Sequence, residues 1–333
     1  MSADSTRRRR WPIVLIGACL MLLTLAATEA RQMSPDTRDP KQAQDEAFAK
    51  LYREWTGDAK FGSPLVDHLP IVKGIPTPKD VIGYYVGAPK KLTYYADILK
   101  YYRALAAATP RVKIETIGKS DEGRELVVVW VSSEANMKAL AQNRENLAKI
   151  ADPRKLSDAQ IRQLIATTKP NYHVIGGLHS TESGPPEMLM ELVYRVAVEN
   201  SPTITQIRNN VYLSVTPVAD ADGRDRAVDW FYRGLEVAEQ AAATSPPPAG
   251  QPAPAATGAD AGRGAQAGGR GGDQGGRGGA PGASLGAVPY WGKYVFHDNN
   301  RDINLSLVQM RALTEWFYTA HPPIMQTCTN RCR

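Results

Sequence analysis

From residue 31 to residue 327 the sequence contains no cysteine. That excludes a disulfide framework and a thiolate zinc site over nearly the whole chain, so any metal there must be held by histidine and carboxylate. Histidine is scarce as well: His68, His173, His179, His297 and His321 are all there are. No HExxH signature occurs, which removes the metallopeptidases built on that helix. Charge of one sign is also in short supply. The net charge of +6 falls to +4 once the charges of the leader described next are set aside, too little to make nucleic acid the main partner. What remains is an ordinary globular composition, 43% hydrophobic and 22% charged over 333 residues, with room for a sizeable core.

Residues 1–30 read as an export signal. Arg7–Arg10 precede a charge-free run, Trp11 to Ala27, and small residues at Thr28 and Ala30 suit cleavage after Ala30. The run is shorter than the about 20 apolar residues that span a bilayer, and it continues past Cys19, where a lipoprotein box would end it. The expectation is a bacterial protein exported to the periplasm or the exterior, with no stable membrane span after cleavage.

Residues 31–85 are polar and proline-containing, with a short amphipathic stretch from Ala47 to Trp55, and read as an extension packed on a larger body. From residue 86 onward the pattern is that of one larger domain. Tyr94, Ile98, Tyr101, Tyr102 and Leu105 recur at helical spacing, predicting a helix that ends near Pro110. Val112–Ile117 and Leu126–Val131 predict a hairpin around a turn-rich loop. Asn136 to Ala166 reads as helical, with Ser157 and Gln160 placed as a capping box. Tyr172–Gly176 and Val211–Thr216 are buried-strand runs on either side of a helix from Pro185 to Val198. Alternating strands and helices predict an α/β domain, a mixed central sheet with helices on both faces. Residues 244–286 break the pattern with 14 of the 28 glycines, six prolines and no aromatic residue. Such a segment cannot bury enough surface to fold, and the expectation is a disordered surface insertion.

Chemistry concentrates where the first buried strand ends. Gly176-Gly177-Leu178-His179-Ser180-Thr181-Glu182 places an imidazole and a carboxylate three residues apart in a loop at a strand's carboxyl end, where open α/β sheets build sites. Such a pair can converge on one zinc ion. Downstream follow Asp220-Ala221-Asp222-Gly223, an aromatic-flanked Arg233, and Asp298-Asn299-Asn300-Arg301-Asp302. In this order, with the earlier hairpin Ile117–Ser120 … Gly123–Leu126, the sequence resembles the zinc carboxypeptidases of the carboxypeptidase A/B type over about residues 90–326.

The resemblance implies a zinc carboxypeptidase-like fold, incomplete at the C-terminus, and one zinc ion with His179 and Glu182 as its first two ligands. It implies that Asn300 and Arg301 bind the substrate's C-terminal carboxylate, and that Arg233 polarises the scissile carbonyl. The implied activity is removal of C-terminal residues from peptides or proteins by zinc-activated water. An amidase or deacylase on a small amino-acid derivative, and a non-catalytic secreted carboxylate-binding protein, are the alternatives.

Thr181 stands where many members carry arginine. The family's third ligand, a later histidine, and its glutamate base have no match, so the chain is expected to be truncated and inactive as it stands. The tail brings in Cys328 and Cys332 abruptly. With GC-rich codons, a shifted frame over residues 326–333 encodes Asp-Leu-His-Glu-Ser-Leu-Pro, which holds a histidine. A frameshift at or just before codon 326 is therefore expected.

Overall fold

The computed structural model describes residues 38–244 and 298–328. The leader 1–30, the glycine-rich segment past Thr244, His297 and Cys332 lie outside the described residues.

The N-terminal part carries α1 (Glu46–Trp55) and a short α2 (Pro78–Ile82), each started by a side-chain cap. Asp45 accepts from the Phe48 amide, and Thr77 and Asp80 close a reciprocal capping box. Then follow α3 (Tyr95–Ala108) and the hairpin β1 (Val112–Lys119) and β2 (Glu125–Val131). The stretch expected as one helix over 136–166 is three: α4 (Glu134–Lys138), α5 (Leu140–Ala151) and α6 (Asp158–Thr167). Pro153 forces the second break, because a proline disfavours helical geometry in the residue before it, and Asp152 sits at φ −128°, ψ 82°. The Ser157–Gln160 capping box starts α6 as expected. After β3 (Asn171–Ile175) come α7 (Gly184–Val198), α8 (Pro202–Asn210), β4 (Tyr212–Thr216) and the long α9 (Ala221–Thr244). Residues past 298 form α10 (Val308–Ala320) and β5 (Ile324–Thr327).

The five strands make one mixed sheet in the order β1-β2-β4-β3-β5. The β1–β2 and β2–β4 pairs are antiparallel; β4–β3 and β3–β5 are parallel. Both faces are covered, and β2 shows it most directly. Val127, Val129 and Val131 belong to the core under α3 and α7, while Val128 and Trp130 belong to a second core with Met310, Leu313 and Trp316 of α10. A strand buried on both sides reads as an unbroken apolar run rather than an alternation. Residues 38–85 lie against α7. The Tyr194 hydroxyl donates to the Pro70 carbonyl at 2.8 Å, Arg195 donates to the His68 carbonyl, and Phe48, Leu69 and Tyr85 join the first core. Among the described residues no helix is long and apolar enough to cross a membrane.

Candidate metal and carboxylate site

Strand β3 ends at Ile175 and the chain turns out of the sheet at once. Gly176 is required there: a Cβ would lie 2.7 Å from both Leu189 and the Pro217 carbonyl oxygen. The turn after β4 is laced to it, since the Ala219 amide donates to the Gly176 carbonyl and the Asp220 amide to the Gly177 carbonyl, both at 2.9 Å. The two loops leave the carboxyl ends of neighbouring parallel strands together, and the crevice they define holds His179 and Glu182.

His179 Nδ1 and Glu182 Oε1 are 3.2 Å apart. The other ring nitrogen, Nε2, is 3.2 Å from Asp298 Oδ1. Asp298 opens the short turn Asn299–Arg301, accepts the Asn300 amide at 2.8 Å and pairs with the Arg301 guanidinium. Burial pushes the Asp298 carboxyl up, but the Asn300 amide, His179 and Arg301 together outweigh it and hold its pKa below the ordinary value. Asn299 anchors the turn: it is buried, donates to the Leu178 carbonyl at 2.8 Å and accepts from Gln309 on α10 at 3.0 Å. Four of the five residues singled out from the sequence, His179, Glu182, Asn300 and Arg301, thus sit in one connected group. Arg233 does not join it. It is exposed on α9, beside Tyr232, whose hydroxyl bonds Leu92 rather than the crevice.

Sequence reasoning missed Asp298 and Asn299, which tie the Asn300–Arg301 turn to the His179 loop. The signal was an acidic residue two positions before the Asn-Arg pair, since a ligating histidine commonly hands its second nitrogen to a carboxylate.

The Asp220–Gly223 turn serves the frame. Asp222 accepts from the Ser120 hydroxyl at 2.6 Å, the Glu122 amide at 3.1 Å and Arg124 at 2.7 Å, fastening the β1–β2 turn to the start of α9. Arg224 is 1% exposed in its side chain, pairs with Glu187, and donates to the carbonyls of Thr93 and of Ser183, next to Glu182. Burial pushes the Asp220 carboxyl up to about 7, against the Gly223 amide it accepts. A Cβ at Gly223 would run into the Asp220 carboxyl and lie 2.7 Å from Ser180 Cβ, so glycine suits the position beneath that carboxyl.

Residues 98–263 match the family model described as zinc carboxypeptidase. The chain belongs to the zinc carboxypeptidase family. The matched stretch includes His179 and Glu182 and stops short of Asn300 and Arg301. No curated protein matches the chain. Among solved structures, a carboxypeptidase A from Helicoverpa armigera is 18% identical, covering 44% of this chain and 31% of its own, with a TM-score of 0.30. Bovine thrombin-activatable fibrinolysis inhibitor, in complex with tick carboxypeptidase inhibitor, is 16% identical over 43% of this chain and 36% of its own, TM-score 0.27. A metallo-carboxypeptidase from Burkholderia cenocepacia is 16% identical over 40% and 28%, TM-score 0.27. The chain spans about a third of the length of the solved structures it matches.

Zinc carboxypeptidase membership implies a zinc ion, and His179 and Glu182 fit part of its donor set. Glu182 Oε2 is buried with no hydrogen-bond partner, an acceptor left for a cation. Two donors about 2.1 Å from a tetrahedral zinc lie about 3.4 Å apart, close to the 3.2 Å between His179 Nδ1 and Glu182 Oε1. A third donor does not arrive: among the described residues no three His, Cys, Asp or Glu side chains are grouped to hold a metal. His173 is sealed in the sheet between Ser214 and Thr216, His68 pairs with Asp67, and His321 caps α10.

Proposed function

We propose that the chain is an exported, zinc carboxypeptidase-type hydrolase directed at peptides or proteins with a free C-terminus. One observation carries the reading: His179 and Glu182 face each other at 3.2 Å while Asp298, from the turn bearing Asn300 and Arg301, holds the far side of the His179 ring. The metal half-site and the carboxylate-binding pair are thereby one unit. The arginine-rich leader followed by an apolar run supports export.

His179 and Glu182 would hold the zinc, which when bound supplies Lewis-acid polarisation and a water of lowered pKa. Asp298 fixes the tautomer of His179 by accepting from Nε2, so that Nδ1 presents a lone pair to the crevice. Arg301, with its side chain 70% exposed, offers a two-pronged donor to an α-carboxylate, and Asn300 adds a neutral donor. Arg233 is assigned to the oxyanion by the family resemblance alone. A second reading, a secreted carboxylate-binding protein without hydrolysis, is favoured by the two-donor metal site among the described residues.

Equilibrium dialysis against zinc, read by atomic absorption, tests the assignment. The chain should retain zinc weakly, and His179→Ala and Glu182→Ala should each retain none, since one remaining donor cannot hold the ion. Stoichiometric zinc in either variant would sink it. A peptide with a free C-terminus should bind better than its C-terminal amide. Binding with that preference but indifferent to zinc would select the second reading.

A further inference from the structure

A second cavity, of about 440 Å³, lies between α1 and α7. Its walls are apolar and aromatic: Phe48, Tyr52 and Trp55 from α1, Tyr85, and Met188 and Leu192 from α7. Glu191, about 10 Å along α7 from Gly184 at 1.5 Å per residue, also lines it. The volume falls in the range of small-molecule sites, which are mostly apolar with few polar groups.

The polar groups are nearly all spent. The Tyr52 hydroxyl accepts the Ser63 amide, and the Tyr85 hydroxyl donates to Asp45 and accepts from Lys79. Arg195 donates through Nε to Glu191 Oε1 at 2.9 Å, through Nη1 to Glu199 at 3.4 Å, and through Nη2 to the carbonyls of Val66 and His68. Two carboxylates therefore share one guanidinium. Glu191 lines the cavity, its side chain 15% exposed, and its hydrogen bond from Arg195 falls on Oε1. Arg195 lines the cavity too, its guanidinium 5.8 Å from the centre of the Phe48 ring, so the site already holds one cation against an aromatic face. A carboxylate that shares its guanidinium with a second carboxylate, on the wall of an aromatic-lined cavity, is the chemistry that recognises an organic cation.

We propose that this cavity binds a small organic ammonium ion with an apolar body, its N–H donated to the Glu191 carboxylate and its body packed on Phe48, Tyr52, Trp55 and Leu192. Burial raises the Glu191 pKa, so an arriving cation also relieves the cost of ionising that carboxyl.

Calorimetric titration of the full chain with 2-phenylethylammonium tests the site, with 2-phenylethanol and 3-phenylpropionate as comparisons. The ammonium ion should bind, the alcohol at least about tenfold more weakly, and the carboxylate not at all. Glu191→Gln should weaken the ammonium ion by about tenfold or more and leave the alcohol unchanged. Met188→Trp, which adds bulk at a lining position that is 44% exposed and in no ion pair, should abolish both. His179→Ala should bind the ammonium ion as the parent chain does. The proposal is overturned if the ammonium ion does not bind, if it binds no better than the alcohol, if either cavity variant leaves its affinity unchanged, or if His179→Ala removes it.

Discussion

His173 and His179 stand six residues apart on one strand-and-loop unit, and the fold gives them opposite lives. His173, inside β3, is fully buried, with its ring nitrogens 2.8 Å from the Ser214 hydroxyl and 3.1 Å from the Thr216 hydroxyl and its ring 4.3 Å from Trp316. Desolvation pushes its pKa down to about 3, so it is a neutral core residue at any ordinary pH. His179, past the glycines that turn the chain out of the sheet, reaches a crevice lined by two carboxylates. The same side chain is a structural group where it is walled by hydroxyls and indole, and a candidate ligand where carboxylates and open space meet it. Scarcity of histidine therefore says little by itself; surroundings decide which one does chemistry.

The contrast can be broken at either end. The largest effect belongs to His173. Its folded pKa lies below the unfolded value of 6.5, so its contribution to stability is complete above pH 6.5 and drains away as pH falls toward about 3. Denaturant midpoints should drop through that window with a slope reaching about 1.4 kcal/mol per pH unit from this group. His173→Gln, less stable at neutral pH, should lose that component of the slope. Equal slopes in the two proteins would mean His173 is not buried neutral. At the other end, Asp298→Ala should leave the fold intact but weaken zinc retention about 10–100-fold by freeing the His179 ring; unchanged retention would show that the contact does not orient the ligand. The smallest effect is expected from the glycine-rich segment. Replacing residues 245–286 with a short linker should shift unfolding free energy by about 1 kcal/mol or less, since loop closure changes by only about 0.6 kcal/mol per doubling of length. A large fall in melting temperature would show that the segment packs.

Much of the frame was legible beforehand because it rests on local rules. The β1–β2 hairpin, β3, α7 and β4 follow from apolar runs, turn residues and proline placement, and the Ser157–Gln160 box is a local hydrogen-bond pattern. The break at Asp152–Pro153 was local too, and helical periodicity on either side hid it. Long-range partners were a different matter. That Asp222 clasps the hairpin turn through Ser120 and Arg124, about a hundred positions away, could not be read from the Asp-x-Asp-Gly pattern. Nor could the choice of Asp298, rather than another acid, as the partner of His179.

What the sequence determined by itself is the chemistry available: no thiols through the body of the chain, five histidines, one HxxE loop at a strand end, and an Asn-Arg pair downstream. Those are properties of residue type and short spacing, which a linear string carries in full. Only the tertiary structure decided which groups meet. It buried His173 and left His179 within reach of Glu182 and Asp298, kept Arg233 on an exposed helix face, and opened a cavity beside Glu191. Burial and contact between residues a hundred positions apart depend on how layers pack over the sheet, and that packing energy is spread over the whole core rather than encoded in any one motif.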